Sequence, residues 1–299
     1  MSATGAYESA PPQSGELKSP VAIICGGGAF PAAVAEAVRR QGREVHLFLL
    51  RGFADAALER FPHEWIKLGS LARVVGSTRK RGIREIVFIG SVVRPRLSQV
   101  GLDWRSLLML PRLARLYLGG DNRLLSGVTK ILGEQGYVLR GAHEVAPEIL
   151  VPEGLTTRQA PDARQREDIQ LGVDLLRAND RFDIGQAVVI AGRRVLAVEG
   201  PEGTADMLLR IAEMRRSARL RLKDREGVLV KIPKPSQERK IDLPAIGSET
   251  LQQARDAGLA GIAIEALGTI VVDPQQFIES AEAAGLFVIA LPPTQRAAA

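Results

Sequence analysis

The sequence predicts an α/β protein of two domains, a parallel sheet with helices on both faces followed by a mixed sheet. Three observations predict it. The chain has 299 residues, which is long for one core and suits two. Apolar strand runs alternate with helix-length segments through the first half, the pattern of a parallel sheet. After a turn-rich stretch at 151–168 the style changes, and a hairpin appears.

The elements follow in order. "VAIIC" (21–25) is a first strand, leading into Gly26, Gly27 and Gly28. Pro31 opens a helix and Gly42 closes it, the expected asymmetry of helix ends. "EVHLFLL" (44–50), "WIKL" (65–68) and "EIVFIG" (85–90) are further strands, with a helix over 70–81 before Gly82. A helix over 122–135 takes Asp121 as N-cap, and "YVLRGAHEV" (137–145) is a last strand and turn. In the second half "QAVVIAGRRVLAVEG" (186–200) is a hairpin around Ala191–Arg193. "GVLVKIP" (227–233), "AGIAIEA" (260–266) and "TIVVD" (269–273) are strands. Helices fit 204–217, 248–257 and 275–284, with Ser248 capping the second and Gly258 ending it. The domain plan is a tail over 1–20, a first domain over 21–155, a linker over 156–168 and a second domain over 169–295.

Composition narrows the chemistry. A net charge of +6 and a pI near 9.8 suit an anionic partner: nucleic acid, an anionic membrane or a phosphorylated small molecule. Aromatics are only 4%, which argues against base-stacking platforms. One cysteine, Cys25, excludes an internal disulfide and a cysteine-rich metal site, and three histidines exclude a His-rich one. A divalent ion would therefore sit on oxygen ligands, which points to Mg²⁺ or Mn²⁺. Residues 1–20 lack a basic n-region and an apolar core, so they read as a tail and not as a signal peptide. The expected location is the cytoplasm.

Several short stretches carry the candidate chemistry. Gly26, Gly27 and Gly28 sit at a strand-to-helix turn, where backbone N–H groups approach an anion. The dinucleotide fingerprint is incomplete, because Pro31 replaces its third glycine and no acid ends the second strand. A plain tight turn is the alternative. Arg94 follows a strand end in "GSVVRP" and is a phosphate contact or a solvated arginine. Asp121 in "GGDNRLL" is a cap or a ligand contact, and His143 in "GAHEV" a structural hydrogen-bonder or a base. "DWRSLLMLPRLARLYLGG" (103–120) is basic and apolar, and reads as a core helix, a membrane-surface segment or the wall of a greasy groove. Glu199 and Glu202, with Asp206 in the next helix, gather enough negative charge to want a positive partner.

The densest stretch is "VKIPKPSQERKIDLPAIG" (230–247). Lys231 and Lys234 are expected at an exposed carboxyl edge of a strand, on backbone stiffened by Pro233 and Pro235. Lysines and Arg239 suit phosphate oxygens, whereas Glu238 and Asp242 suit a metal ion or a water. That mix is the equipment of phosphoryl chemistry, in which positioning and charge neutralisation supply most of the rate.

"GGGAFP", "GSVVRP", "GDNRLL", "GAHEV", "DIGQAVV", "AVEGPEGT", "KPSQERKIDLPAIG" and "AGLAGIAIEA" occur in this order. Together they resemble the UDP-2,3-diacylglucosamine pyrophosphatases of the LpxI type, from bacterial lipid A synthesis, over roughly residues 21–290. The resemblance implies a Rossmann-like first domain, a separate α/β second domain and a substrate cleft between them. It implies Mg²⁺-dependent cleavage of UDP-2,3-diacylglucosamine to UMP and 2,3-diacylglucosamine 1-phosphate (lipid X). It implies work at the cytoplasmic face of the inner membrane as a peripheral protein, with no nucleic acid as partner and a homodimer as one option. Carried onto this chain, it makes Lys231, Lys234, Glu238, Arg239 and Asp242 catalytic. Glu199, Glu202, Glu238 and Asp242 become metal ligands. Gly26–Gly28, Arg94, Asp121, His143, Gln186 and Gln237 contact substrate. Glu238 stands where the family pattern has Asp, and Asp206 stands one residue later than the family's acid. An NAD(P)-dependent oxidoreductase and a non-catalytic sugar-nucleotide or lipid binder are the alternatives.

Overall fold

A computed structural model describes residues 20–92, 131–182, 184–223, 225–235 and 243–293. The first domain holds strands β1 (Val21–Cys25), β2 (Val45–Leu50), β3 (His63–Ile66), β4 (Glu85–Ile89) and β5 (Val138–Arg140). They form a five-stranded parallel sheet in the order β3-β2-β1-β4-β5. Every residue of β1 and β2 is buried, as strands covered on both faces require. On one face Ile23, Cys25 and Leu47 pack with Val34 and Val38 of α1 (Phe30–Arg40). On the other, Ala22, Ile24 and Phe48 pack with Val74 of α2 (Leu71–Lys80). Val145 of α3 (Ala142–Val145) joins the α1 side. The strand order reverses between β1 and β4, the Rossmann-like switch point.

The sheet of the second domain begins with a hairpin of β6 (Ala187–Ala191) and β7 (Arg194–Val198), as expected. β6 is also antiparallel to β8 (Val228–Lys231). β8, β9 (Gly261–Glu265) and β10 (Phe287–Leu291) are parallel, and the sheet order is β10-β9-β8-β6-β7. α4 (Ala163–Ala178) covers one face. α5 (Gly203–Arg216), α6 (Ser248–Asp256) and α7 (Pro274–Ala284) share a core with the other, through Met207, Leu251 and Phe277. A Cβ on Gly172 would lie 2.6 Å from Val230 Cγ2, so glycine lets α4 rest directly on the sheet. The hairpin turn puts Gly192 and Arg193 at φ 55 and 61, the left-handed pair of a tight hairpin. The buried Asp168 of α4 accepts from both their backbone N–H groups, at 3.0 and 2.6 Å.

Four local expectations change. The stretch 156–168 is not a bare connection. Thr157 N–H donates to Val288 O, and α4 begins at Ala163 under a reciprocal cap between Asp162 and Gln165. α4 itself was not read from the sequence, because Pro152, Gly154 and Pro161 ahead of it look like an extended loop. "TIVVD" contributes only single bridges at Ile270 and not a strand. Ser248 is the first helical residue and Gly247 the cap, with no side-chain cap bond.

A ribbon of three short segments joins the domains. Ile270 bridges Leu150 on one side and Ala245 on the other. Val271 N–H donates to Ile149 O at 2.7 Å, and Ile270 N–H to Pro244 O at 2.8 Å. Side chains alternate as extended backbone dictates. Leu150, Ala245 and Ile270 pack into the first domain's core, whereas Val151, Ile246 and Val271 pack into the second's. Leu243 also packs into the first core, so the loop that leaves β8 in one domain lands on the other.

Candidate active site at the edge of the second sheet

β6 runs opposite to both its neighbours, so its start and the ends of β7 and β8 share one edge. Gln186, Glu199 and Lys231 stand there, with the first turn of α5 beside them. Lys231 and Glu199 are each only 7% exposed. The exposed edge expected for Lys231 is therefore corrected: the strand end is covered, because β8 is central in its sheet. Lys234 is half-buried.

Glu199 is held on both oxygens. Oε2 accepts from the backbone N–H of Gln186 at 2.7 Å, and Oε1 from the Thr204 hydroxyl at 2.6 Å. Lys231 Nζ donates to the same hydroxyl at 3.0 Å. A Cβ on Gly185 would lie 2.5 Å from Glu199 Cγ, so glycine makes room for the acid's stem. A buried charge is tolerated only when paired and hydrogen-bonded, and the lysine, hydroxyl and carboxylate meet that condition together. Among the described residues, the side-chain Oε1 of Gln186 is buried with no hydrogen-bond partner. It is an acceptor that a ligand N–H or O–H would satisfy.

Glu202 differs from Glu199. It is exposed, and its carboxylate meets Arg210 at 3.2 Å. Asp206 is exposed in the first turn of α5, where it complements the helix dipole. Among the described residues no three of His, Cys, Asp and Glu gather as a metal site would need. Metal ligation by Glu199 or Glu202 would share a carboxylate already engaged by the partners just named. The described side chains alone do not fit a cation cage.

The first domain's carboxyl edge is built from backbone. Gly27 N–H donates to Ser91 O at 2.8 Å and Ser91 N–H to Gly27 O at 3.0 Å, which ties the loops after β1 and β4 together. A Cβ on Gly26 would lie 2.5 Å from Ser91 O, and one on Gly90 2.7 Å from Gly27 O. Close backbone approach thus explains Gly26. Gly28, at φ 92, has nothing within 4 Å of such a Cβ and faces open space. His143 is half-buried in α3, beyond the end of β5 at this same edge. Arg94, Asp121, Gln237, Glu238, Arg239 and Asp242, and the stretch 103–120, lie outside the described residues.

Two residues of the second edge were not singled out from the sequence. Thr204 hides in a turn-like "EGT", and its partners are 5 and 27 residues away. Glu265 ends β9 at 1% exposure, and Gly268 leaves space for it, since a Cβ there would lie 2.5 Å from its Oε1. A carboxylate inside an otherwise apolar strand end was the available signal.

Family models match both halves: the LpxI N-terminal domain over residues 20–149 and the LpxI C-terminal domain over 152–289. The chain belongs to the LpxI family. Within that family, the UDP-2,3-diacylglucosamine pyrophosphatase LpxI of Caulobacter vibrioides is 39% identical over 274 residues, covering 92% of this chain and 98% of the relative. The boundary between the two LpxI domains falls where Leu150 and Val151 turn to opposite cores. Among solved structures, the UDP-glucose 4-epimerase of Thermus thermophilus in complex with NAD is 13% identical, covering 93% of this chain and 88% of its own at a TM-score of 0.29. A likeness that slight carries no argument.

Proposed function

We infer that this chain hydrolyses the pyrophosphate bond of UDP-2,3-diacylglucosamine, releasing UMP and 2,3-diacylglucosamine 1-phosphate, in lipid A biosynthesis. Membership of the LpxI family and the similarity to the Caulobacter vibrioides pyrophosphatase support the substrate. The observation that carries the chemistry is the buried Lys231 at the head of the loop that crosses from one domain to the other. Water attacks one phosphorus, the bridging P–O bond breaks, and the two monophosphates leave. Lys231 and Lys234, with Arg239, neutralise phosphate oxygens, which is where phosphoryl transfer needs help. Gln186 Oε1 accepts from a donor on the substrate. Glu238 and Asp242 prepare the water or hold a divalent ion, Mg²⁺ or Mn²⁺, which when bound would draw charge from the phosphates.

The oxidoreductase alternative meets an obstacle in the Gly27–Ser91 bridge, which ties together the loops flanking the crevice where a dinucleotide lies in open α/β sheets. Among the described residues no helix is long and apolar enough to cross a membrane. The proposal places the protein peripherally at the cytoplasmic face of the inner membrane, where its substrate resides.

The test is UMP release from UDP-2,3-diacylglucosamine by the purified chain. Binding of the intact lipid nucleotide without any UMP would leave only a sensor. Turnover undiminished in excess EDTA would remove the metal. Glu238→Gln is expected to abolish release while still holding substrate. UDP-glucosamine is expected to compete poorly, since each buried CH₂ contributes about 0.8 kcal/mol.

A further inference from the structure

We propose that Thr204 is a positioning residue: its hydroxyl stands between the Lys231 ammonium and the Glu199 carboxylate and delivers that ammonium to a phosphate oxygen. The proposal rests on the pyrophosphatase reading above for its substrate, and on the geometry of the edge for everything else.

The direction of the two bonds is fixed by the groups themselves. An ammonium only donates and an ionised carboxylate only accepts. Thr204 has one proton, so it goes to Glu199 Oε1 at 2.6 Å, and the oxygen lone pair receives Lys231 Nζ at 3.0 Å. The first distance lies in the range of a charge-assisted bond to a carboxylate. The hydroxyl therefore reads both charges at once.

The three groups differ in freedom. Glu199 is fixed at its backbone by Ala187 O, which accepts from its N–H at 2.9 Å, and at its Oε2 by Gln186 N–H. Its stem is seated against Gly185. Thr204 is β-branched, which restricts its χ1, and it is anchored as the second residue of α5. Lys231 carries its charge on a flexible four-carbon stem. With the hydroxyl removed, the lysine is the group that moves, and Glu199 is the carboxylate from which that hydroxyl separates it. A direct ion pair at the back of the site would take the ammonium out of reach of substrate. Thr204 prevents that collapse while still letting Glu199 balance the buried charge.

The experiment is a double-mutant cycle on the full chain, with Thr204→Val, Lys231→Met and the pair. Thermal melts accompany each variant, and Thr204→Ala replaces Thr204→Val if the latter does not fold. Thr204→Val is expected to lose about tenfold to a hundredfold in kcat/KM, the scale of an ångström-level misplacement. Thr204→Ser, which restores the hydroxyl, is expected to stay within about threefold of wild type. Thr204→Val is expected to add nothing to Lys231→Met, because groups that act through one another are not additive. Fully additive losses, or a Thr204→Val rate close to wild type, would overturn the proposal. Calorimetric titration with inorganic pyrophosphate runs the same cycle without turnover. Non-additive binding there with no UMP release from wild type would sink the pyrophosphatase reading and keep the positioning role. UMP release with additive binding losses, or no pyrophosphate binding by wild type, would do the reverse.

Discussion

The two sheets present the same kind of edge and fill it differently. At the first, the loops after β1 and β4 are pressed together through glycine, and two backbone hydrogen bonds close the gap. At the second, a lysine, a hydroxyl and a carboxylate are buried in one connected set. The first edge is shaped by sterics and the second by charge. The same fold class can thus close one carboxyl edge with backbone and fill another with buried polar groups, so fold alone does not locate the chemistry.

Substitutions can break that contrast. The largest effect is expected at Lys231. Lys231→Met keeps the aliphatic stem and removes the charge, and UMP release is expected to fall on the order of 10²- to 10³-fold, as for loss of one well-placed donor to a developing anion. Because Lys231 is buried beside Glu199's hydrogen-bonded set, the variant should also melt earlier, which calorimetry would register. Near-normal turnover would mean that the second edge is framework too.

Gly26→Ala comes next. Its methyl would meet Ser91 O at 2.5 Å, and overpacking of that kind costs about 1–3 kcal/mol. Urea unfolding measures it. If Gly26→Ala is as stable as wild type yet loses substrate binding, the first edge is a ligand cradle after all and the contrast fails.

A smaller effect concerns the first sheet's buried charge, away from that edge. His46 Nε2 lies 3.4 Å from Glu64 Oε1, and Glu64 also accepts from Ser77 and pairs with Arg81. Burial, then Arg81 and nearby His63, holds His46 below its ordinary 6.5, against the opposing pull of Glu64. Glu64 sits below its ordinary 4.5: burial alone would raise it, but the Ser77 hydrogen bond, Arg81, His46 and Arg73 outweigh burial. Below pH 6.5 the unfolded chain takes up a proton at His46 that the folded one resists, and below 4.5 the same holds at Glu64. Stability is therefore expected to fall on acidification in two stages. His46→Gln should remove the first stage from a series of urea midpoints against pH. A midpoint that rises as pH drops from 6.5 would contradict this.

The smallest effect is expected at Glu202. Its pairing with Arg210 is exposed, and such pairs contribute about 0–1 kcal/mol. Glu202→Gln should leave stability and UMP release nearly unchanged. A large rate loss would instead place Glu202 at the reacting centre.

Most strands of the two sheets were legible because buried parallel strands read as continuous apolar runs, as "VAIIC" and "VHLFLL" do, but the edge strand β10, "FVIAL", was not read. Lys231 was legible because a charge directly after "VLV" has to be explained. Other features depend on who meets whom. Gly26 and Gly90 look like separate turn glycines until the sheet order sets their loops side by side. Thr204 became visible only once an antiparallel β6 brought its neighbours to one edge. α4 was missed because Pro152, Gly154 and Pro161 ahead of it read as loop, and Gly172, which lets it rest on the sheet, reads as a helix breaker.

The ribbon through Leu150, Ala245 and Ile270 makes each half of the chain a structural subunit of the other's core. A gene cut at the boundary between the family's two domains would give a first fragment without Leu243, Ala245 and Ile270, exposing the apolar surface they cover. The second fragment would lose no sheet strand but would display those same three side chains to water. Neither piece is equipped to live alone, and the two would be expected to melt, fold and be inherited as one cooperative unit.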